Sequence, residues 1–453
     1  MSASLPPSTP LRAYVHLPFF YGWVIVAVAF VTMGIGVNTR TAFSLLLPAL
    51  VTEFGWDRGV TAGAFSVGFV AATCIAPFLG MLMDRLGPRV VLPLGVVLVS
   101  SGMGLVTLVR HPWHLSLTFG GLVVGGSVCI TYIGHALFLP HWFVRKRGLA
   151  IGIAFSGVGL GAILLLPWVQ RLIDHTGWRH ACLALAVLLL GALLPLNLLL
   201  PRRRPEDIGL TPDGTPLLSS AGAGPAGLPN VGEPAWAATD WTVRKALKTA
   251  RFWWLGVAYS SGLYIWYAVQ VHQTKYLLDI GVPSTQAASA LGYVGLTGVI
   301  GQIALGHLSD RWGREWAWTL SGLGFGLCYA LLLVLPASPH PLVLYSMVGA
   351  QGLLGYGLAV VFGAVPAEVF PGKHMGTIVG TLHVASNIGA ACGPWITGVL
   401  YDATGTYGPA FVCAMGMSLV SIIAMWIAAP RHVRVITGSI AQVRAHNASQ
   451  GQQ

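Results

Sequence analysis

Residues 80–89 have the sequence Gly-Met-Leu-Met-Asp-Arg-Leu-Gly-Pro-Arg, and residues 306–314 repeat its pattern as Gly-His-Leu-Ser-Asp-Arg-Trp-Gly-Arg. Each stretch follows a long apolar segment, and the two lie 226 residues apart. Further matches, with an offset of 228, pair Gly148, Gly152, Gly161 and Asp174 with Gly376, Gly380, Gly389 and Asp402. Several matches at a nearly constant offset predict two parallel structural repeats.

The composition around these stretches is typical of a membrane protein. Of the 453 residues, 55% are hydrophobic and only 9% are charged, and the mean hydropathy is +0.72. A soluble domain carries about 25% charged residues, so a soluble enzyme is excluded. Continuous apolar runs, long enough to cross about 30 Å of hydrocarbon, predict α-helices and not a β-barrel. We predict twelve of them, at 19–49, 60–83, 90–109, 114–141, 148–173, 179–200, 249–278, 285–307, 316–336, 341–367, 375–400 and 407–429.

A polar stretch divides these helices into six and six. Residues 201–248 interrupt the apolar pattern, and 212–234 are rich in Gly, Pro, Ala and Ser, a composition that cannot bury a core. The sequence therefore predicts an all-α polytopic fold of two six-helix pseudo-repeat bundles. Its parts are a tail (1–18), the first bundle (19–200), a flexible linker (201–248), the second bundle (249–429) and a second tail (430–453).

The net charge of +11 is explained by membrane topology. If the N-terminus is cytoplasmic, the loops and tails on that face hold 19 of the 25 Lys and Arg residues. This positive-inside bias predicts that both termini are cytoplasmic, and it leaves no reason to expect nucleic-acid binding. The six cysteines fall inside the predicted helices without Cys-x-x-Cys spacing, so we expect no metal site, and nothing in the sequence calls for a cofactor.

The paired Gly-x-x-x-Asp-Arg-x-Gly stretches resemble the signature loop of the major facilitator superfamily. The resemblance implies a twelve-helix secondary transporter in the lipid bilayer that works by alternating access, functions as a monomer and is not an enzyme. It also implies that the loop residues lock the cytoplasmic side when that side is closed. The gating candidates are Gly80, Asp84, Arg85, Gly87, Arg89, Gly306, Asp310, Arg311, Gly313 and Arg314.

Other motifs resemble one branch of that superfamily, the bacterial monocarboxylate and oxalate/formate transporters. They are Tyr21-Gly22-Trp23, Glu53-Phe54-Gly55-Trp56, Trp142-Phe143-x-x-Lys146-Arg147-Gly148 and Arg204-Pro205-Glu206-Asp207-x-Gly209. The resemblance implies a bacterial inner membrane and proton-coupled movement of a small organic anion such as lactate or pyruvate. An alternative is import or export of a larger, weakly polar or aromatic compound. A remote one is a membrane sensor that does not transport.

The predicted membrane interior is neutral or basic. All 14 Asp and Glu residues lie in loops, tails or helix ends, so the interior favours an anionic cargo. Arg40, on the first helix, is the leading candidate because a guanidinium can hold a carboxylate by two parallel hydrogen bonds. The alternative is an arginine that extends to the outer headgroups.

Further candidates for substrate binding lie on helices 4, 7 and 11. Tyr132 and His135 are three residues apart and share a helix face, Tyr264 and Tyr267 belong to an aromatic surface, and His383 and Asn387 are four residues apart. Each could instead make hydrogen bonds between packed helices. His135 and His383 are also the candidates for proton coupling, since histidine titrates near neutral pH.

Helix 8 departs from the family pattern. Where the branch has an arginine this chain has Gln302, and where the animal members have an aspartate it has Gly298. Gln302 can donate a hydrogen bond to a carboxylate, but it carries neither charge nor proton. Either a histidine holds the proton, or the cargo is larger or less charged than lactate.

Overall fold

The computed structural model describes residues 19–56, 58–214, 236, 239–338 and 340–432. Over this part of the chain it contains twelve membrane-crossing elements, which confirms the predicted fold class. In chain order they are α1 (Gly22–Phe54), α2 (Arg58–Leu86), α3 (Pro88–Val106), α4 (in three pieces, Pro112–Leu115, Ser116–Gly125 and Tyr132–Ala136), α5 (Arg147–Thr176), α6 (Trp178–Leu199), α7 (Ala250–Asp279), α8 (Ser284–Trp312), α9 (Arg314–Val334), α10 (Pro341–Val369), α11 (Met375–Thr404) and α12 (Gly408–Ala428).

Nine of these elements are long and apolar enough to span a membrane by themselves, counting only the described residues. The other three are α4, which is interrupted, and α7 and α11, which have 30 residues each but carry polar side chains along their length. Polar side chains in a spanning helix are stable when they face protein. We therefore expect α4, α7 and α11 to place their polar side chains against other helices.

Two hydrophobic cores form, one for each set of six helices. The first is built from α1–α6 and is joined by Val360, Ala364, Met375 and Val379 of the second half. The second is built from residues between Trp241 and Ala428. These four residues lie on α10 and α11, so these helices pack against the first half.

The repeated glycines allow the two halves to touch. A Cβ atom placed on Gly80 of α2 would lie 2.0 Å from the carbonyl oxygen of Gly376 on α11, and one on Gly306 of α8 would lie 2.4 Å from that of Gly148 on α5. No side chain fits at such distances, so both crossings require glycine. The two crossings are equivalent under the repeat.

The two signature stretches are mostly helix. Asp84 and Arg85 belong to the last turn of α2, and Asp310 and Arg311 to the last turn of α8. Only the later glycine of each stretch makes the turn, Gly87 at φ 74° and Gly313 at φ 112°, backbone angles that only glycine adopts readily. The earlier glycine, Gly80 or Gly306, serves the helix crossing.

The continuous helix predicted over 114–141 is wrong, because α4 is broken. The wide π-helical segment Ser116–Gly125 is followed by a non-helical stretch, in which Thr131 is extended, and the helix resumes at Tyr132. Glycine is a weak helix former, and this segment contains several. A similar π-helical segment, Ala350–Gly355, interrupts α10 immediately before Tyr356.

The described parts of the linker pack against the rest of the protein. Ile208 and Trp241 are buried, and the carboxylate of Asp213 accepts hydrogen bonds from the backbone N–H groups of Val144 and Arg145 at 3.2 and 3.0 Å. Prolines restrict the backbone at its start, which lowers the entropic cost of ordering it. The central part of the predicted flexible stretch, 215–235, lies outside the described residues.

Candidate functional site

Arg40 lies where the two halves meet. Its guanidinium sits 5.7 Å from the ring centre of Phe69 on α2. The Phe69 ring in turn packs edge-on against Tyr267 of α7, with 6.1 Å between ring centres. This chain of contacts runs from the first half to the second.

Two further tyrosines complete the group. Tyr132 of α4 packs edge-on against Phe155 of α5 at 5.0 Å, and it interacts electrostatically with Arg40, Tyr267 and Tyr356. Tyr356 of α10 stacks on Trp266 of α7 at 4.3 Å. We call Arg40, Phe69, Tyr132, Trp266, Tyr267 and Tyr356 the central cluster.

The central cluster offers one cation and no carboxylate. Within the described part of the chain Arg40 makes no ion pair, and the described Asp and Glu residues lie near helix ends or in connecting segments. A cation in an aromatic setting between two halves attracts an anion. The tyrosine hydroxyls can donate hydrogen bonds to it, and the aromatic rings can contact its apolar part.

On α8, where Gly298 departs from the family pattern, the side chain of Tyr356 fills the space beside the glycine. A Cβ atom on Gly298 would lie 2.2 Å from Cδ2 of Tyr356. The Tyr356 ring therefore occupies the space into which a side chain at position 298 would extend. Gln302, one turn later, is buried, and its Oε1 atom has no hydrogen-bond partner.

At the face that carries the ends of α2 and α8, each half caps a helix of the other. We call it the motif face. Asp84 accepts hydrogen bonds from the backbone N–H groups of Gly376 and Thr377 at 2.9 and 2.8 Å, and from Thr377 Oγ1 at 2.9 Å. These N–H groups belong to the first turn of α11, which has no partners for them within the helix. The helix dipole also stabilises a carboxylate at this position.

Asp310 makes the equivalent contact in the other direction. It accepts hydrogen bonds from the N–H groups of Gly148 and Leu149, in the first turn of α5, at 2.8 and 2.9 Å. The paired signature thus provides two reciprocal caps, Asp84 on α11 and Asp310 on α5. Together they hold the halves against each other at the motif face.

A buried charge network lies beside the Asp310 cap. Arg314, whose side chain is 1% exposed, contacts Asp310 at 3.0 Å and Glu368 at 2.7 Å. Glu368 of α10 also contacts Arg147 of α5 at 3.3 Å, which joins the second half to the first. Buried ion pairs of this kind are stable only when every charge is compensated.

The family of the chain follows from sequence comparison. A family profile described as Major Facilitator Superfamily matches residues 23–362 and 275–448. The chain belongs to the major facilitator superfamily. It is therefore a multi-pass membrane transport protein and not an enzyme.

Named relatives of this major facilitator are similar over most of their length. Monocarboxylate transporter 13 of Bos taurus is 27% identical over 396 residues, covering 87% of this chain and 86% of the relative. Monocarboxylate transporter 11 of Mus musculus is 28% identical over 407 residues, covering 87% and 84%. The suspected resemblance to monocarboxylate transporters is thereby confirmed.

Solved structures show the same fold at low identity. The Escherichia coli fucose:proton symporter aligns with a TM-score of 0.67 at 15% identity, covering 90% of this chain and 100% of that one. The human organic anion transporter MFSD10 aligns with a TM-score of 0.68 at 18% identity, covering 89% and 99%. These likenesses concern the fold.

Of the predicted substrate-binding residues, the structure brings together Arg40, Tyr132 and Tyr267. Tyr264 lies apart, since its hydroxyl contacts Sγ of Cys413 on α12 at 3.6 Å. Tyr356 also belongs to the central cluster, although the sequence analysis did not single it out. A signal for it was available, because a tyrosine next to a glycine-rich segment of a membrane helix can sit at a helix break.

The predicted histidines are buried away from the described contacts of the central cluster. Nδ1 of His135 lies 3.0 Å from the Thr131 carbonyl oxygen, while Nε2 has no partner. The ring of His383 packs beside that of Phe362, with 4.8 Å between ring centres, and its nitrogens are buried without a well-formed hydrogen bond. Nδ2 of Asn387, one turn further along α11, also lacks a partner. Such groups are costly to bury, which makes them candidates for a role in another conformation.

Several predicted gating arginines do not bridge the halves in this conformation. Arg85 and Arg311 are exposed, and Arg89 donates to the carbonyl oxygens of Leu198 and Leu199 at the end of α6, within its own half, at 3.3 and 3.5 Å. Arg147 bridges the halves through its contact with Glu368. Sequence reasoning placed Arg147 in a family motif but not among the gating residues, and it missed Glu368. The available signal was that an arginine that begins a helix between apolar segments needs a carboxylate.

Proposed function

We propose that this major facilitator moves a small organic anion, in the first instance a monocarboxylate such as lactate or pyruvate, across the membrane. The observation that carries the proposal is the position of Arg40, which lies between the halves beside Phe69 and Tyr132 without an ion-pair partner in the described chain. The names of the monocarboxylate transporters to which the chain is similar support the same class of cargo.

We further propose that the two Asp caps and the Glu368 network are the gate of an alternating-access cycle. The motif face would be cytoplasmic, as would both termini, in the inner membrane of a bacterium; the relatives named above are animal proteins, so the bacterial source rests on the motifs. In this arrangement the closed motif face seals the central cluster from the cytoplasm. The protein would work as a monomer, since both halves of the site lie on one chain.

Uptake into proteoliposomes tests the proposal. The purified chain is reconstituted, and labelled lactate, pyruvate, oxalate, formate, acetate and an aromatic acid are offered with and without an inward proton gradient, beside neutral fucose and a cationic amine. Uptake of one or more acids, and of neither control, is expected. Transport of the sugar or the amine, without uptake of any of the acids, would contradict an anion carrier.

Proton coupling is proposed to rest on His135 or His383. Both are buried with at least one free ring nitrogen, and neither has a carboxylate as its hydrogen-bond partner in the described contacts. If the proton is held by His135, the His135→Gln variant should lose the stimulation of uptake by a proton gradient while keeping uptake driven by the anion gradient. His383→Gln is the parallel variant. Full gradient stimulation in both single variants and in the double variant would contradict coupling through histidine.

A second candidate cargo is an aromatic acid. The observation in its favour is the aromatic wall formed by Trp266 and Tyr356, which fills the space at Gly298. An aromatic pair contributes about 0.5–1.5 kcal/mol. The Tyr356→Ala variant should therefore bind the aromatic acid several-fold more weakly and leave lactate binding nearly unchanged. Equal losses for both acids, measured as competition constants, would favour the small monocarboxylate.

The fit between Gly298 and Tyr356 gives a further prediction. Gly298→Ala should slow transport and destabilise the protein by about 1–3 kcal/mol, because the new methyl group overlaps the Tyr356 ring. Adding Tyr356→Ala should relieve the overlap, and the double variant should be more stable than Gly298→Ala alone. Thermal unfolding measures both effects.

A matched control lies on the same helix. A Cβ atom on Gly292 would meet nothing within 4 Å, so Gly292→Ala should be tolerated. Gly→Ala by itself favours a helix, so if Gly292→Ala and Gly298→Ala destabilise equally, the overlap with Tyr356 is not the cause and the proposed fit is wrong.

A further inference from the structure

The two copies of the gate differ in charge. Beside the Asp310 cap, Glu368 compensates Arg147 and Arg314. Under the repeat, with the offsets found in the sequence, the counterparts of Arg314 and Glu368 are Pro88 and Pro140. The copy built around Asp84 therefore has no equivalent of this network.

A cavity of about 600 Å³ occupies that place at the Asp84 copy. Its walls come from the end of α2, from the two described parts of the linker and from the start of α11. The volume is within the range of small-molecule sites. A ligand bound there would touch both halves and the linker at once.

The cavity walls carry an excess of positive charge. The basic side chains are Arg85, Arg203, Arg204, Lys373 and His374, against Asp84 and Asp207.

Both carboxylates are already engaged. Asp84 accepts the three hydrogen bonds from α11, and Asp207 accepts one from the backbone N–H of Arg204 at 3.0 Å. Neither Arg85 nor Lys373 has an ion-pair partner among the residues that the structure describes. Like charges gathered around a cavity repel one another unless an anion enters.

We propose that this cavity binds a phosphate group, and that the bound phosphate holds the motif face closed. Arginine presents a planar pair of donors that matches phosphate oxygens, and lysine adds a point charge. Several cations around one cavity suit a multiply charged anion better than a monocarboxylate. The site is separate from the central cluster, because Phe69 and Met81 are twelve residues apart on α2, about 18 Å along the helix axis.

The phosphate could belong to a soluble compound or to a lipid headgroup. In both cases the phosphate would compensate cations from both halves, as Glu368 does at the other copy. Binding to the closed state alone would stabilise that state in proportion to the logarithm of ligand concentration. It would thus slow opening of the motif face without touching the cargo site.

The test uses the full chain, purified in detergent and freed of phospholipid. Inorganic phosphate is titrated at constant ionic strength, with thermal unfolding and hydrogen exchange at Gly376 and Thr377 as readouts. We expect a higher unfolding midpoint and slower exchange. In the Arg204→Gln/Lys373→Gln variant about tenfold more phosphate should be needed. If this variant does not fold, Lys373→Gln alone is used.

The matched control removes the same charge at the other copy. Arg145 and Lys146 are exposed and are the repeat counterparts of Lys373 and His374, so Arg145→Gln/Lys146→Gln should respond to phosphate as the unchanged protein does. A second arm compares nanodiscs of phosphatidylcholine with and without phosphatidic acid. An effect of free phosphate identifies a soluble ligand, and an effect of phosphatidic acid alone identifies a lipid. No effect in either arm, or equal effects in the Arg204/Lys373 variant, would overturn the proposal.

Discussion

Replacing Glu368 by glutamine should release the motif face. Glu368 compensates two buried cations, Arg314 and Arg147, from opposite halves. Removing one partner of a buried ion pair costs about 3–5 kcal/mol, because the remaining charge stays out of water. When the halves part, Arg147 can be hydrated, so the penalty falls on the closed state. At 1.4 kcal/mol for each factor of ten, the equilibrium should shift at least about a hundredfold toward opening.

Backbone hydrogen exchange at Gly148 and Leu149 reports this shift directly. Their N–H groups are protected by Asp310 only while the face is closed, so their exchange should accelerate by the same factor in Glu368→Gln. Glu206→Gln is the control, since Glu206 is an exposed carboxylate of the linker. Unchanged exchange at Gly148 and Leu149 in a folded Glu368→Gln variant would refute the gate.

A double variant separates the charge effect from a packing effect. In Arg147→Gln/Glu368→Gln the cation that spans the halves is removed together with its partner. If uncompensated charge opens the face, this variant should exchange more slowly than Glu368→Gln alone, because coupled residues do not add independently. Faster exchange in the double variant would mean that the network acts mainly through side-chain packing.

Much of the fold was predictable because hydrocarbon restricts the choices. Apolar runs of spanning length must be helices, and the matching offsets of Asp84 and Asp310 identified the repeat. The break in α4 was not predictable in the same way. Glycines lower helix propensity by amounts that packing can overrule, so the sequence cannot decide between a strained helix and the interruption before Tyr132.

The site was predictable only in part. A lone arginine in an apolar helix, Arg40, is conspicuous in any sequence. The contact between Gly298 and Tyr356 depends on how α8 and α10 cross, which no spacing within one helix specifies. Glu368 was missed for a related reason. A carboxylate at a helix end looks the same in the sequence whether it is solvated or buried between two arginines.

The proposed gate and the central cluster share helices. Along α2, Phe69 belongs to the central cluster and Asp84 to the gate; along α10, Tyr356 and Glu368 do the same. A helix that is continuous between two sites can transmit a displacement at one end to the other. An anion that draws Arg40 toward Tyr267 would therefore act on the Asp84 cap and on the Glu368 network, and its binding energy would then drive the exchange of access.

Replacing Arg40 by glutamine should reduce the affinity for the transported acid at least about a hundredfold. Each hydrogen bond to a charged group contributes about 1.5–3 kcal/mol, and a guanidinium can make two to one carboxylate. Arg40→Lys keeps the charge without the planar pair of donors, so an intermediate loss is expected. Arg171→Gln, which removes an exposed arginine from α5, should leave affinity unchanged.

The sign of the charge can be tested with a neutral analogue of the same shape. In the unchanged protein lactate should compete for uptake far better than lactamide, because only lactate carries the negative charge that Arg40 attracts. In Arg40→Gln the preference for lactate should largely disappear, since only the uncharged hydroxyls of Tyr132 and Tyr267 remain to bind either compound. Continued preference for lactate in Arg40→Gln, with Gly148 and Leu149 protected as before, would mean that another group binds the anion and that Arg40 serves the lipid headgroups.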